Sequence, residues 1–285
     1  MRPSSMLSQQ LSRPIQTIPS TSYEEVQIST TFHPNSNLLA EPPDVVLVSS
    51  DGVYFHVHSS ILDDASSNHF ADALSNIDDE VFLPEASNIL NIILLAIYNI
   101  DTSQYQPSLL ILITAVDRMR FYGVTPLRYA APNQALYVAL YSFAPHQPIE
   151  VYAVAGRHNL ETLAVRTSAH LLAFPLERLT DDLCDRIGAP YLKRLFFLHL
   201  DRMEKLREIL MHQPGRHPPT SHCPGISAEL MRAWGLATST IVYDAKPGID
   251  IAFGFVEEIP CMVCSESFTT RLAQAAAQWS QVKVH

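Results

Sequence analysis

The chain has 285 residues, of which 47% are hydrophobic and 17% are charged, and its mean hydropathy is +0.06. This is enough apolar material to bury a core, which excludes a wholly disordered chain. The formal net charge of −10 predicts repulsion from phosphate backbones and anionic lipids, so we expect no general binding to nucleic acid or to a membrane surface.

The N-terminal part of the chain has the composition of a flexible segment. Residues 1–40 are rich in Ser, Thr, Pro and Gln and contain few large apolar side chains, so we expect a disordered tail there. Residues 1–20 lack the continuous apolar stretch of a secretory signal peptide. Since the chain also has only four cysteines, we expect a reducing, intracellular location, cytoplasmic or nuclear.

A β-hairpin is predicted directly after this segment. A short apolar run at residues 45–48 is followed by Asp51-Gly52, a dipeptide typical of hairpin turns. Apolar and polar residues then alternate over residues 53–58, which places the three apolar side chains of that strand on one face. The pattern predicts a hairpin that buries this face.

Helical spacing of apolar residues begins after Ser59. Ser87 is predicted to cap a helix whose apolar stripe ends at Tyr98, and Pro107 to open a second helix that closes at Gly123. Beyond Pro126 the chain is predicted to be helical to residue 212, then to continue through a proline-rich linker at 213–224 into two further helices. The candidate helices are 133–143, 149–158, 160–173, 180–187, 191–211, 226–243 and 265–279.

An ordered series of short motifs runs through residues 41–130. The series consists of Asp44-Val45-Val46-Leu47, Phe55-His56-Val57-His58, Ile61-Leu62, Val81-Phe82-Leu83-Pro84 and Tyr122-Gly123-Val124. In this order the motifs resemble the BTB/POZ domain. The rest of the chain, including Trp234 and the ending that starts at Trp279, resembles the C-terminal half of a large fungal set of BTB-containing proteins.

The resemblance implies a protein-interaction module, often a homodimer and in some members an adaptor of a cullin-type ubiquitin ligase or a transcriptional co-regulator. It also implies that Asp44 and His58 lie near the core and near a charged pocket at the dimer interface. Ser59 departs from the family, which usually has a basic residue there. The predicted interaction residues are Asp44, Val45, Leu47, Phe55, His58 and Leu62.

Three cysteines near the C-terminus have a spacing that suits a metal. Cys261-Met262-Val263-Cys264 has the C-x₂-C spacing with which two thiolates bind one Zn²⁺, and Cys223 lies upstream beside His222, with His217 as a second candidate. Three thiolates and one imidazole would form a closed structural site. The alternative is free thiols that pack as small apolar residues. Catalysis by Cys223 and His222 is disfavoured, because neighbours in sequence rarely hold nucleophile and base geometry.

These patterns together predict an α+β protein without enzymatic activity. Its parts are a disordered tail at 1–40, a BTB/POZ-like domain with a small sheet and packed helices at 41–130, an α-helical extension at 131–212 and an all-helical C-terminal segment at 213–285. The predicted ligands of a structural zinc ion are Cys223, Cys261, Cys264 and His222. The predicted partner is a second copy of the chain or another protein, with no nucleic acid and no membrane.

Overall fold

A computed structural model of the chain describes residues 27–74, 80–225, 227–244 and 250–282. These residues form the mixed α+β fold that the sequence predicts. The strands are β1 (Gln27–Ile28), β2 (Val45–Val48), β3 (Val53–Val57) and β4 (Val81–Phe82). The helices are α1 (Ser59–Ala65), α2 (Ser87–Ile97), α3 (Leu109–Met119), α4 (Pro126–Tyr129), α5 (Ala135–Ser142), α6 (Pro148–Arg157), α7 (Glu161–Ser168), α8 (Asp181–Ile187), α9 (Ala189–Met211), α10 (Ala228–Asp244) and α11 (Met262–Ser280). Short 3₁₀ segments cover Ser103–Tyr105, Ala169–Leu171, Leu176–Arg178 and Asp250–Glu258.

The sheet is built around the predicted hairpin, and its strand order is β1-β3-β2-β4. β2 and β3 pair antiparallel with Leu47 opposite Phe55, while the short outer strands β1 and β4 pair parallel with them. Gly52 in the turn has a φ of 80°, a left-handed conformation that glycine adopts without steric cost. Alternate side chains of β3 are buried, which confirms the predicted inward face.

The N-terminal segment is ordered earlier than the sequence suggests. Residues 1–26 lie outside the described residues, but the expectation of a disordered tail is wrong for residues 27–40. Ile28 pairs with β3, and Phe32 is fully buried with its ring edge against Tyr98, at 5.2 Å between ring centroids. A single phenylalanine in a polar stretch gives no periodic signal, so composition alone did not reveal this packing.

Two aspartates of the hairpin bind the first turns of the following helices. Ser87 is the first residue of α2 rather than its predicted cap; its backbone N and Oγ donate to the Asp51 carboxylate at 2.8 and 2.7 Å. Ser59 makes the same pair of bonds to Asp44 at the start of α1. Partial burial raises the pKa of each carboxyl, but the serine hydrogen bonds outweigh it, so the pKa of both Asp44 and Asp51 lies below its ordinary value.

The described residues form two hydrophobic cores. The first is one cluster whose members lie between Phe32 and Leu198, so the predicted BTB/POZ-like domain and its helical extension share one core. The second is built from apolar residues between Leu206 and Trp279, contributed by the end of α9, by α10 and by α11. α9 contributes buried side chains to both cores and therefore joins them.

Candidate metal centre

Four side chains of the second core region bring nitrogen and sulfur donors together. The ligand atoms of His217, Cys223, Cys261 and Cys264 all lie within 4.8 Å of one another. Cys264 Sγ lies 3.7 Å from Cys223 Sγ and 3.3 Å from His217 Nε2, and Cys261 Sγ lies 3.5 Å from the same nitrogen. Zinc bonds of about 2.3 Å to sulfur and about 2.0–2.1 Å to nitrogen give tetrahedron edges of about 3.8 Å (S···S) and about 3.5–3.6 Å (S···N). These three separations therefore fit a tetrahedral site, and this cluster can hold a metal ion.

The C-x₂-C pair lies at the N-terminal end of α11. Cys261 directly precedes the helix, and Cys264 is fully buried in its first turn. The backbone N–H of Cys264, at the positive end of the helix, lowers the pKa of the Cys261 thiol to about 7. Burial raises the pKa of Cys264. The N-terminal end of α11 therefore favours the thiolate form of Cys261, which lies nearer to solvent than Cys264.

The other two donors come from a loop that folds back on itself. His217 N donates to Gly225 O at 3.0 Å, and within this return Thr220 N donates to Cys223 O at 2.7 Å. Gly225 has a φ of 95°, and a Cβ at this position would lie 2.2 Å from the carbonyl oxygen of His217. Only glycine allows this approach, which places His217 and Cys223 side by side.

The His217 ring is oriented by its second nitrogen. Nδ1 lies 2.7 Å from the carbonyl oxygen of Pro218. Because a carbonyl only accepts hydrogen bonds, Nδ1 carries the proton in the neutral ring and the lone pair of Nε2 faces the thiols. This arrangement, with one nitrogen bound to a backbone carbonyl and the other free to coordinate, is the usual one for a metal-binding histidine.

Arg271 on α11 is hydrogen-bonded to the C-terminal end of α9. The sequence pattern did not lead us to predict this contact. Arg271 Nε donates to His212 O at 2.8 Å and its terminal nitrogen donates to Ile209 O, although the residue is only 8% exposed. Burial lowers the pKa of this guanidinium. A signal was present in the sequence, because Arg271 falls at helical spacing within the buried stripe of α11 that includes Phe268.

The three predicted cysteines meet in this centre, but the predicted histidine does not. His222 is exposed and stands outside the group, and the second candidate, His217, takes the place expected for it. All four cysteines are free thiols, and the 3.7 Å between the sulfurs of Cys223 and Cys264 is far longer than a disulfide bond. Cys184 lies apart on α8.

The predicted docking residues belong to the first core instead of to a surface. Val45, Leu47, Phe55, His58 and Leu62 are each at most 3% exposed. These five predicted interaction residues are therefore buried inside the chain and offer no exposed surface to a partner. The remaining predicted residue, Asp44, is exposed, and its carboxylate is bonded to α1.

His58 is a structural histidine whose ring is held by hydrogen bonds within the chain. One ring nitrogen lies 2.9 Å from the hydroxyl oxygen of Tyr98 and the other lies 3.0 Å from the backbone oxygen of Glu41. Desolvation raises the pKa of Tyr98 to about 12, so its hydroxyl stays protonated. Both nitrogens of the ring are thus satisfied inside the chain.

No protein-family model, curated protein or solved structure matches the chain. Within the described ranges, no helix has both the length and the apolar composition that crossing a bilayer requires. The chemistry of the metal centre and the faces of the helices therefore carry the functional interpretation.

Proposed function

We propose that this chain is a non-enzymatic protein-interaction module whose C-terminal part is held together by a structural Zn²⁺ ion. The observation that carries the proposal is the closed geometry of the Cys₃His cluster. Three thiolates and one imidazole fill all four positions of tetrahedral zinc, so no position remains for a water molecule or a substrate. A closed site of this kind stabilises a fold and performs no chemistry.

The donor set favours zinc over the other common ions. Magnesium and calcium prefer oxygen ligands, whereas thiolate and imidazole in tetrahedral geometry are typical of zinc. His217 and Cys223 come from the loop, while Cys261 and Cys264 come from α11. An ion bound by all four joins two segments that are distant in sequence, so its binding energy becomes folding energy of the second core.

The interaction part of the proposal is supported by the BTB/POZ resemblance of residues 41–130. The residues that carry it form a tightly packed sheet-and-helix unit, in which the aspartates of the hairpin and the ring of His58 make structural hydrogen bonds. Function in such a unit would come from its outer surfaces, since the motif residues themselves are occupied in holding the fold.

The test is the zinc content of the full chain purified under reducing conditions. We expect about one zinc per chain, and we expect Cys264→Ser and His217→Ala to lose most of it because each removes one of the four ligands. Cys184→Ser and His222→Ala are matched controls, since they replace the same residue types outside the cluster, and both should keep one zinc.

Two results would overturn the zinc proposal. The first is a reduced, folded wild-type chain without stoichiometric zinc. The second is a zinc-containing chain that loses its metal in His222→Ala and keeps it in His217→Ala.

A further inference from the structure

The face of α9 that points away from both cores carries apolar side chains in solvent. Phe197, Leu200 and Met211 are 51%, 60% and 78% exposed. At 3.6 residues per turn these three and Glu204 lie within about 60° of arc, on the side opposite the buried residues of the helix. Single exposed apolar residues are common, but a stripe along one helix face marks an interaction site.

The stripe has the spacing of a helix–helix seam. Its positions 197, 200, 204, 207 and 211 follow one another at alternating intervals of three and four, which keeps them on one line along a paired helix. Glu204 and Arg207 occupy the middle of this line and are both exposed. Among the described residues neither of them forms an ion pair, so both charges are free to meet a partner.

We propose that this face binds a second copy of α9, antiparallel, around a two-fold axis that passes between residues 205 and 206. In this register Glu204 of one copy faces Arg207 of the other, and Leu200 faces Met211. Each contact occurs twice because the interface is symmetric. The inference rests on the proposed interaction function and names its partner.

The order of side chains along the seam favours a second copy in this orientation. Reading outward from the axis, one half has Glu204 followed by Leu200 and Phe197, and the other half has Arg207 followed by Met211, so the two charges have opposite sign. A parallel pair would bring Glu204 against Glu204 and Arg207 against Arg207, which like-charge repulsion disfavours. The antiparallel pair joins opposite charges and covers Leu200 and Met211 at once. A single helix pair buries a small interface, so the association must be followed to high protein concentration.

The first experiment is sedimentation velocity of the full-length, zinc-loaded chain over a concentration series. We expect a concentration-dependent species with the mass of two 31.8 kDa chains. Leu200→Glu should weaken the dimer at least ~10-fold, because it places two carboxylates in the seam. Leu110→Glu is the matched control, since Leu110 is 72% exposed on α3, and it should leave the dimer unchanged.

The second experiment tests the register by charge exchange. Glu204→Arg and Arg207→Glu should each be monomeric, because each homodimer would oppose like charges. An equimolar mixture of the two variants should form a heterodimer, because every pair across the axis then joins an arginine to a glutamate. Mixing changes no contact within a helix, so recovery of the dimer reports on the contact between copies alone.

Three results would overturn the inference: a wild-type chain that is a single copy at every concentration, a dimer that persists in Leu200→Glu, or a mixture of charge variants that stays monomeric. Zinc is measured in the same samples. A zinc-free α9 dimer would contradict the zinc proposal and support this one, whereas a zinc-containing monomer would do the reverse.

Discussion

Gly225 is the residue that decides the shape of the ligand loop. Its left-handed backbone and the 2.2 Å that would separate a Cβ from the His217 oxygen exclude any side chain. Residues other than glycine lose about 1–2 kcal/mol in this conformation, before the clash is counted. The position of one metal ligand thus depends on a residue that offers no ligand atom.

We therefore expect Gly225→Ala to lower zinc affinity and to reduce the free energy of unfolding by at least ~1 kcal/mol. Competition with a zinc chelator and thermal denaturation measure the two effects. Gly235→Ala is the matched control, because Gly235 is exposed within α10 with no atom within 4 Å of the added methyl. It should gain up to ~1 kcal/mol from helix propensity. Unchanged zinc affinity in Gly225→Ala would contradict this account of the loop.

Asp51 is a second residue whose role lies outside its own segment. Its carboxylate binds the first turn of α2, and its pKa in the folded chain is below its ordinary value of about 3.9. Above a pH of about 3.9 the Asp51 carboxyl is ionised in both the unfolded and the folded chain, so its hydrogen bonds to α2 contribute their full stabilisation to the folded chain. As the pH falls through the lowered pKa of the folded chain, this stabilisation is lost.

Asp51→Asn should reduce the free energy of unfolding at pH 7 by about 1 kcal/mol, since the amide is a weaker partner for the helix end. The difference from wild type should shrink as the pH falls below about 4, which urea denaturation at several pH values measures. Asp185→Asn, at an exposed position of α8, should follow the wild type throughout. A difference for Asp51→Asn that stays constant down to pH 2 would contradict the assignment.

The sequence alone could not decide whether His217 or His222 is the fourth ligand of the metal centre. His217 and His222 both lie on the proline-rich linker within a few residues of Cys223, so spacing alone could not distinguish them. The choice depends on the backbone approach between His217 and Gly225, a contact across the loop. Cys261 and Cys264 were predictable from their local C-x₂-C spacing, and Cys223 as the cysteine upstream of them beside two candidate histidines.

At the scale of elements, apolar periodicity predicted most helices and the hairpin, because each buries one face. α9 was predicted at 191–211 and is found at Ala189–Met211, and the stripe of α3 is buried as expected. β1 was not predicted because a strand of two residues is too short to show an alternation of apolar and polar side chains. Ser87 was predicted to cap α2, whereas the partner of the helix start is Asp51 in the hairpin turn, a contact between distant residues that the sequence around Ser87 does not show. The local sequence pattern thus predicts the helices and strands, whereas the contacts between them are known only from the tertiary structure.

Arg271 joins α11 to the end of α9 by hydrogen bonds, and replacing it tests how much these bonds stabilise the fold. Arg271→Met keeps the length of the stem but removes the bonds to the carbonyl oxygens of Ile209 and His212. We expect the free energy of unfolding to fall by about 2 kcal/mol, a typical value for hydrogen bonds to a charged group. Arg232→Met, at an exposed position of α10, should change it by less than about 0.5 kcal/mol. Equal effects of the two variants in urea denaturation would contradict the role of Arg271.

At the scale of the whole molecule, the part of the chain that the structure describes has two cores of unequal size, and α9 contributes to both. The second core spans residues 206–279 and is small, and small cores commonly depend on a metal or a disulfide for stability. Composition and periodicity predicted an α+β chain with a helical C-terminal part and the buried face of the hairpin, to which Phe55 belongs. They did not predict that Phe32 covers this face, because composition assigned residues 1–40 to a disordered tail, whereas the ring of Phe32 lies 6.3 Å from that of Phe55.

The most direct test of the account is X-ray absorption spectroscopy at the zinc edge of the full chain purified under reducing conditions. We predict a first shell of three sulfur atoms at about 2.3 Å and one nitrogen at about 2.0–2.1 Å. A shell made of oxygen and nitrogen, or a reduced chain that yields no zinc signal, would contradict a centre formed by His217, Cys223, Cys261 and Cys264.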